Sequence, residues 1–119
     1  MTLQQIVEAI KAHPDFNKVG MIVCHNGVVR ATSRDGHSVR GLEVVVDYVA
    51  LETILQEMRE RPGIVEVAVH LYEGYREVGE DVMLVAVAGD IREHVLPVLQ
   101  DTVERIKKEV TRKEEFFIE

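Results

Sequence analysis

A nine-residue run, DVMLVAVAG at residues 81–89, places the strongest constraint on the fold. After its first residue the run is apolar throughout, whereas a half-buried strand would alternate between apolar and polar residues. A strand of this kind is covered on both faces and lies at the centre of a sheet. We therefore predict that other elements pack above and below it.

The first half of the chain carries signals for two helices and two strands. Thr2 and Gln5 form a capping box that starts a helix, which Pro14 ends. Residues 19–31 and 39–49 are predicted strands, and we expect them to pair as a long hairpin around the loop between them. A second helix follows, with its apolar positions at Leu51, Ile54, Leu55 and Met58, and is stopped by Pro62-Gly63.

The second half repeats this order. Residues 64–72 alternate as a strand, and EGYREVGE at 73–80 predicts a turn. Asp90 is expected to cap a last helix, whose start Pro97 should delay or whose axis it should kink. The order of helix, strand pair, helix, strand pair, helix predicts an α+β fold, with helices packed on a largely antiparallel sheet. We expect a single domain over residues 1–119.

Charge and composition narrow the classes of partner. The chain has 21 acidic and 14 basic residues, a net charge of −7, so we do not expect nucleic-acid binding through a uniform basic face. Cys24 is the one cysteine and cannot form an internal disulfide. The sequence contains no apolar run of membrane-spanning length and no signal-peptide pattern. We expect a cytoplasmic protein that binds neither nucleic acid nor membrane.

The histidines and the cysteine lack the spacing of metal ligands. Cys24 and His25 are adjacent, so on a strand they point to opposite faces. The sequence has no Cys-x-x-Cys or His-x-x-x-His pair, and we predict neither a metal site nor a cofactor. Cys24 lies in an apolar strand and is expected to be chemically inert.

Basic residues are the remaining candidates for a site. They are Arg30, Arg34, Arg40, Arg92, Lys107, Lys108, Arg112 and Lys113. If the hairpin folds over the last helix, or a second subunit supplies it, these side chains converge on an anion pocket, which suits the planar fork of arginine. The alternative is a solvated helix face, because Glu109 and Lys113 have the i,i+4 spacing of a helical ion pair.

GVVRATSRDGHSV at 27–39, residues 65–93 and IKKEV at 106–110 together resemble the large (catalytic) subunit of molybdopterin synthase, the MoaE-like family. The first of these segments resembles the Gly-x-Val-Arg strand end and loop of that family. Residues 65–93 resemble its His-x-x-Gly turn, apolar strand and His-Arg segment. IKKEV at 106–110 resembles the start of its closing lysine motif. The resemblance covers most of the chain.

This resemblance implies an α/β hammerhead fold, a homodimer and a role in molybdenum cofactor biosynthesis. The family accepts the C-terminal tail of a small ubiquitin-like partner, which ends in Gly-Gly and carries a thiocarboxylate. As transferases, its members pass two sulfurs to cyclic pyranopterin monophosphate, a small anionic pterin, to make molybdopterin. The phosphate of that substrate implies a basic pocket.

By the same resemblance, Arg30 and Arg92 match the arginines of the strand end and of the His-Arg pair. Lys107 matches the first lysine of the closing motif. We expect Lys107 and Lys113 to be catalytic, and Arg30, Arg92 and Arg40 to bind substrate.

The chain departs from the family pattern at several places. Ile91 replaces the histidine of the His-Arg pair, and Glu114 and Glu115 replace two lysines of the closing motif. Lys113 lies one position early, about 100° of rotation on a helix, although a shift in an extended tail would correct this. Catalysis therefore stays open. The alternatives are a non-catalytic homodimeric relative that binds an anionic, pterin phosphate-like ligand or a regulatory partner, and an unrelated α+β domain.

Overall fold

A computed structural model describes residues 1–118 as an α+β fold with two antiparallel sheets. The helices are α1 (Leu3–Lys11), α2 (Tyr48–Arg59) and α3 (Arg92–Arg105), with a 3-10 turn at Phe16–Lys18 and a π-helical turn at Ile106–Val110. The strands are β1 (Met21–Val28), β2 (Val39–Val46), β3 (Ile64–Leu71), β4 (Gly74–Glu77), β5 (Asp81–Gly89) and β6 (Thr111–Phe117).

The first sheet has the order β1-β5-β3, so the prediction that the apolar run forms a central strand is confirmed. Successive side chains of β5 point to opposite faces. Val85 and Val87 join the core that includes residues of α2 and α3, whereas Leu84 and Ala86 pack in a second cluster with α1. All four are fully buried. Each face of this strand is thus covered by helix.

The second sheet has the order β4-β2-β6, and the predicted hairpin of β1 with β2 is wrong. β1 pairs with β5 along its length, and one isolated bridge, Thr32 with Ser38, closes the loop before β2. The edges of β5 need hydrogen-bonding partners, and β1 and β3 fill them. β2 pairs instead with β4 and β6 in the second sheet.

The predicted turn at 73–80 is also wrong in part, because Gly74–Glu77 forms the short strand β4 against Gly41–Val44. The Tyr75 ring crosses β2 at Gly41 and meets Phe116 of β6 edge-on, with 5.6 Å between ring centres. A Cβ at Gly41 would collide with the Tyr75 hydroxyl. Because Gly41 has no side chain, the Tyr75 ring of β4 can pass over β2 and contact Phe116 of β6.

Of the two predicted helix caps, the one at Thr2 is confirmed and the one at Asp90 is displaced by one residue. Gln5 N–H donates to Thr2 Oγ1 at 3.1 Å and completes the predicted capping box. The last helix is capped at Ile91, one residue after the predicted Asp90, whose carboxylate accepts from Ile91 N–H at 2.7 Å and contacts His94 Nδ1 at 2.8 Å. Pro97 lies inside α3 without delaying its start at Arg92.

After α3 the chain leaves the helix through the π turn and continues as β6. The Thr111 N–H donates to Ile106 O, an i→i+5 hydrogen bond that widens the last turn. Ile106 is fully buried, which anchors this turn in the core. The expected helical pair of Glu109 with Lys113 is wrong, because Lys113 lies on a strand and Glu109 binds Arg105 at 2.8 Å.

We expect the core around α2 to carry much of the stability. Ile54 is 1% exposed within it, whereas Val49 on the same helix is 81% exposed. Replacing Ile54→Ala should reduce the free energy of unfolding by about 2–5 kcal/mol through lost burial and a cavity. Val49→Ala is the matched control and should change it by less than about 0.5 kcal/mol. Urea denaturation measures both, and equal effects would contradict this packing.

Candidate active site

A cleft of about 900 Å³ lies where the two sheets and the end of α3 meet. Its walls come from β1 and the loop after it, from β2 and β5, and from the π turn and β6. This volume suits a small-molecule ligand. Its charged lining residues are Arg30, Arg34, Asp35, Lys107, Lys113 and Glu115. Four cations face two carboxylates, so the cleft is basic in an acidic protein.

The register of β6 decides which charges of the C-terminal segment reach the cleft. Lys113 lies opposite Val44 and Glu115 opposite Leu42, so these two side chains share the face that lines the cleft. Glu114 lies opposite Glu43, on the other face of the second sheet. An extended segment thus places Lys113 in the cleft and removes Glu114 from it.

The π turn positions Lys107. Buried Ile106 and Val110 hold the two ends of this turn in the core, while Lys107 and Lys108 between them are exposed. Lys107 lines the cleft and Lys108 does not. The two neighbouring lysines therefore have different surroundings, which makes Lys108 a natural control for Lys107.

Backbone contacts fix the end of β1, where Arg30 leaves the sheet. Val29 is buried; its N–H donates to Glu80 O at 3.0 Å, and its carbonyl accepts from Gly79 N–H at 2.9 Å. This double contact ties the strand end to the turn before β5. Arg30 follows directly, with its side chain on the cleft wall.

The loop that carries Arg34 is braced by its own side chains. Ser33 Oγ donates to Asp35 Oδ1 at 2.5 Å and accepts from His37 N–H at 3.1 Å. His37 Nδ1 lies 3.2 Å from the other oxygen of Asp35. The hydrogen bonds from Ser33 and His37 lower the pKa of Asp35, so its carboxylate stays ionised. The Asp35 carboxylate is thus engaged mainly by Ser33 and His37 of its own loop.

The walls of the cleft and the neighbouring charges shift the pKa of the Lys113 amine. Partial burial lowers the pKa of Lys113 below its ordinary value, and the charge of Lys107 lowers it further, whereas Glu115 acts in the opposite direction. A lysine with a lowered pKa has more of the neutral amine, which is the form that acts as nucleophile or base. Lys113 is therefore suited to proton transfer or attack on a carbonyl, and Arg30 to holding an anion.

The cleft brings together three of the five predicted site residues, Arg30, Lys107 and Lys113. Arg92 is not among its lining residues: its side chain is 78% exposed and contacts Glu93 at 3.2 Å. Arg40 also lies outside the lining, with its guanidinium 6.0 Å from the centre of the Phe116 ring. The predicted convergence of these two arginines with the lysines does not occur within one chain, because no β1–β2 hairpin folds over α3.

Sequence reasoning missed three titratable residues of the cleft, His25, Asp35 and Glu115. His25 precedes Gly27 by two positions on β1, so strand alternation would have placed both on one face. Glu115 could be placed only once the tail was known to be a strand. Among residues 1–118, no cluster of three or more potential metal ligands occurs, and no helix is long and apolar enough to span a membrane.

Two antiparallel sheets, three helices and a basic cleft closed by a lysine-bearing strand define a small α+β protein with one basic cleft among its described residues. The chain belongs to the MoaE protein family, whose model matches residues 1–109. That match contains Arg30, Arg92 and Lys107 and ends before Lys113. The resemblance found in the sequence and the predicted fold class are both confirmed.

Relatives agree with this assignment. The chain is 32% identical, over 130 residues, to a probable molybdopterin synthase of Haloferax volcanii, an alignment that covers 99% of this chain and 50% of the relative. The chain thus spans about half the length of that curated relative.

Solved structures share the fold. Molybdopterin cofactor biosynthesis protein E of Burkholderia multivorans has 26% identity and a TM-score of 0.79, over 99% of this chain and 82% of that one. Molybdopterin synthase of Staphylococcus aureus has 24% identity and a TM-score of 0.75, over 86% and 77%. A complex of subunits 1 and 2 of molybdopterin-converting factor from Helicobacter pylori has 16% identity and a TM-score of 0.74, over 98% and 80%.

The charges around Lys113 predict opposite responses to two substitutions. Lys107→Ala removes a like charge and should raise the pKa of Lys113, whereas Glu115→Gln removes an opposite charge and should lower it further. Lys108→Ala, outside the cleft, should leave it unchanged. NMR titration of the lysine side-chain signals measures all three. Movement of the two cleft variants in the same direction would contradict the arrangement.

Proposed function

We propose that this chain is the large, catalytic subunit of a molybdopterin synthase. In this role it transfers sulfur from the thiocarboxylate of a small partner to cyclic pyranopterin monophosphate. The observation that carries the proposal is that Lys107, Lys113 and Arg30 line one cleft. Membership of the MoaE family supports the reaction class.

The proposed division of labour follows from the chemistry of each side chain. Arg30 holds the phosphate of the pterin through its planar fork, and Arg34 adds charge from the neighbouring loop. Lys107 supplies a second cation for the thiocarboxylate or the phosphate. Lys113, with its lowered pKa, is the group that moves a proton or attacks the acyl carbon at the end of the partner's tail; in that attack the acyl C–S bond breaks, the sulfur stays on the pterin and the amine proton passes to water.

The two glutamates in place of family lysines do not remove this chemistry. Glu114 lies on the face of β6 away from the cleft, so it does not repel an entering thiocarboxylate there. Glu115 does line the cleft, and it tempers the combined charge of Lys107 and Lys113. A non-catalytic, anion-binding relative is the less favoured alternative, because a lysine with a lowered pKa adds nothing to simple anion binding.

We infer that the partner is a small ubiquitin-like sulfur carrier with a Gly-Gly C-terminus. The relative from Helicobacter pylori is a complex of two subunits, which supports a two-component arrangement. A flexible peptide tail can enter an open cleft more easily than a folded part of the partner can. A cytoplasmic location and a single domain belong to the same proposal.

We also infer a homodimer, in which a second copy brings Arg92 to the cleft. Arg92 is exposed and lies outside the cleft of its own chain. Arg92 matches the arginine of the family's His-Arg pair, and in such a dimer it would act in the cleft of the other copy. Each cleft would combine Arg30, Lys107 and Lys113 of one copy with Arg92 of the other.

Sulfur transfer tests the catalytic proposal directly. The protein is mixed with thiocarboxylated small partner and cyclic pyranopterin monophosphate, and molybdopterin is measured. Lys107→Ala and Lys113→Ala should each lower the rate by at least about 100-fold, as expected for loss of a group that acts in the reaction. Lys108→Ala should retain it. No product from the unaltered protein, together with no binding of the small partner, would reject the synthase proposal.

Mixing two inactive variants tests the shared cleft. Arg92→Ala and Lys107→Ala proteins are each assayed alone and then after unfolding and refolding together. A cleft shared between copies predicts that the mixture regains about a quarter of the normal activity, because mixed dimers contain one intact cleft. Activity no higher than that of the separate variants, with dimers present on sedimentation, would contradict the role of Arg92.

A further inference from the structure

His25 is a titratable group of the cleft that the proposed chemistry leaves unused. It lies on β1 opposite fully buried Val85, so its ring emerges from an apolar floor. Gly27, two residues on, faces the same way, and a Cβ there would lie 3.4 Å from His25 Nε2. The missing side chain leaves the ring nitrogen open to the cleft rather than covered by its own strand.

The surroundings of His25 are cationic. Burial lowers its pKa, and the charges of Lys107 and Lys113 lower it further. Within residues 1–118, no carboxylate forms an ion pair with His25, whereas His37 pairs with Asp35 and His94 with Asp90. The neutral ring is therefore favoured, because the ring is partly buried and because protonation would put a third positive charge beside two ammonium groups.

Every charged group that faces the cleft bears on this balance. β5 contributes apolar side chains to the lining. The loop after β1 contributes Arg30, Arg34 and Asp35, the π turn contributes Lys107, and β6 contributes Lys113 and Glu115. Asp35 is held by its own loop, and Glu115 is offset by Lys113 on the same strand face. An incoming anion would thus be the largest new negative charge that His25 meets.

We propose that His25 is the proton acceptor of the cleft: it is neutral in the empty cleft and takes up one proton when a doubly charged, phosphate-like anion binds beside the lysines. The anion offsets the repulsion from Lys107 and Lys113, which adds to the effect of burial on the ring. Protonated His25 then donates an N–H to the anion as a further ligand. The inference deepens the proposed function and rests on it in one respect, that the natural anion is the phosphate of the pterin.

Two consequences follow for the site. Because the bound form holds one more proton than the free form, anion affinity must increase as the pH falls through the titration range of His25. Protonated His25 also restores part of the repulsion that the anion removes from Lys113. Part of the lowering of that pKa is thereby kept when substrate binds.

Sulfate is the probe for a direct test, because its charge stays at −2 across the range in which histidine titrates. The histidine C–H signals are followed by NMR from about pH 5 to about pH 9, with sulfate or with chloride at equal ionic strength. Sulfate should raise the pKa of His25 by about one unit or more. His70 is the internal control: burial also lowers its pKa, but it lies opposite Leu84, outside the cleft lining.

Binding measurements on two variants complete the test. His25→Gln should bind sulfate within about twofold of the unaltered protein at high pH, and should lose the gain in affinity at low pH that proton uptake provides. His25→Phe keeps a ring of similar size and should behave alike, which guards against loss of folding in one variant. Fluorescence or calorimetric titration gives the dissociation constants.

Three results would overturn the proposal: no sulfate binding, sulfate binding that leaves the pKa of His25 where it was, or a pH dependence that survives in both variants. The experiment uses neither the small partner nor the pterin. Failure of sulfur transfer with intact proton uptake would therefore reject the enzyme proposal alone. Active sulfur transfer with an unresponsive His25 would reject this inference alone.

Discussion

Strand β5 carries apolar side chains on both of its faces, and the rest of the molecule is arranged to keep them from water. α1 covers one face, and α2 and α3 cover the other. With both edges of β5 paired to β1 and β3, the first sheet has no place beside its central strand for β2. β2 builds a second sheet with β4 and β6, and the cleft forms where the chain passes between the two sheets.

The sequence could predict what depends on near neighbours. The capping box at Thr2, the stop at Pro62-Gly63 and the two-faced burial of residues 81–89 each follow from residues close along the chain. Pairing partners could not be predicted in this way. The choice of β5 over β2 as the partner of β1 depends on an edge contributed by residues about sixty positions away, and no local pattern encodes it.

The residues of the candidate site show the same difference between what near neighbours determine and what distant strand pairing determines. Arg30 and Lys107 could be found from motifs, because each lies at the end of an element whose position is locally encoded. Lys113 could be named but not oriented, since TRKEEFF has the charge pattern of a solvated helix and becomes a strand only through its pairing with β2. The family motif suggested that a shift along the tail would be needed. Simple alternation along an extended strand suffices instead.

The π turn before β6 also has an evolutionary consequence. Such a turn is a helix end with one extra residue, and here it connects a buried anchor at Ile106 to a strand whose side chains alternate between cleft and solvent. Loss of one residue from the turn, with the strand backbone kept in place, would exchange the side chains on the two faces. Insertions and deletions in this short connection could therefore change the chemistry of the cleft without a single substitution within it.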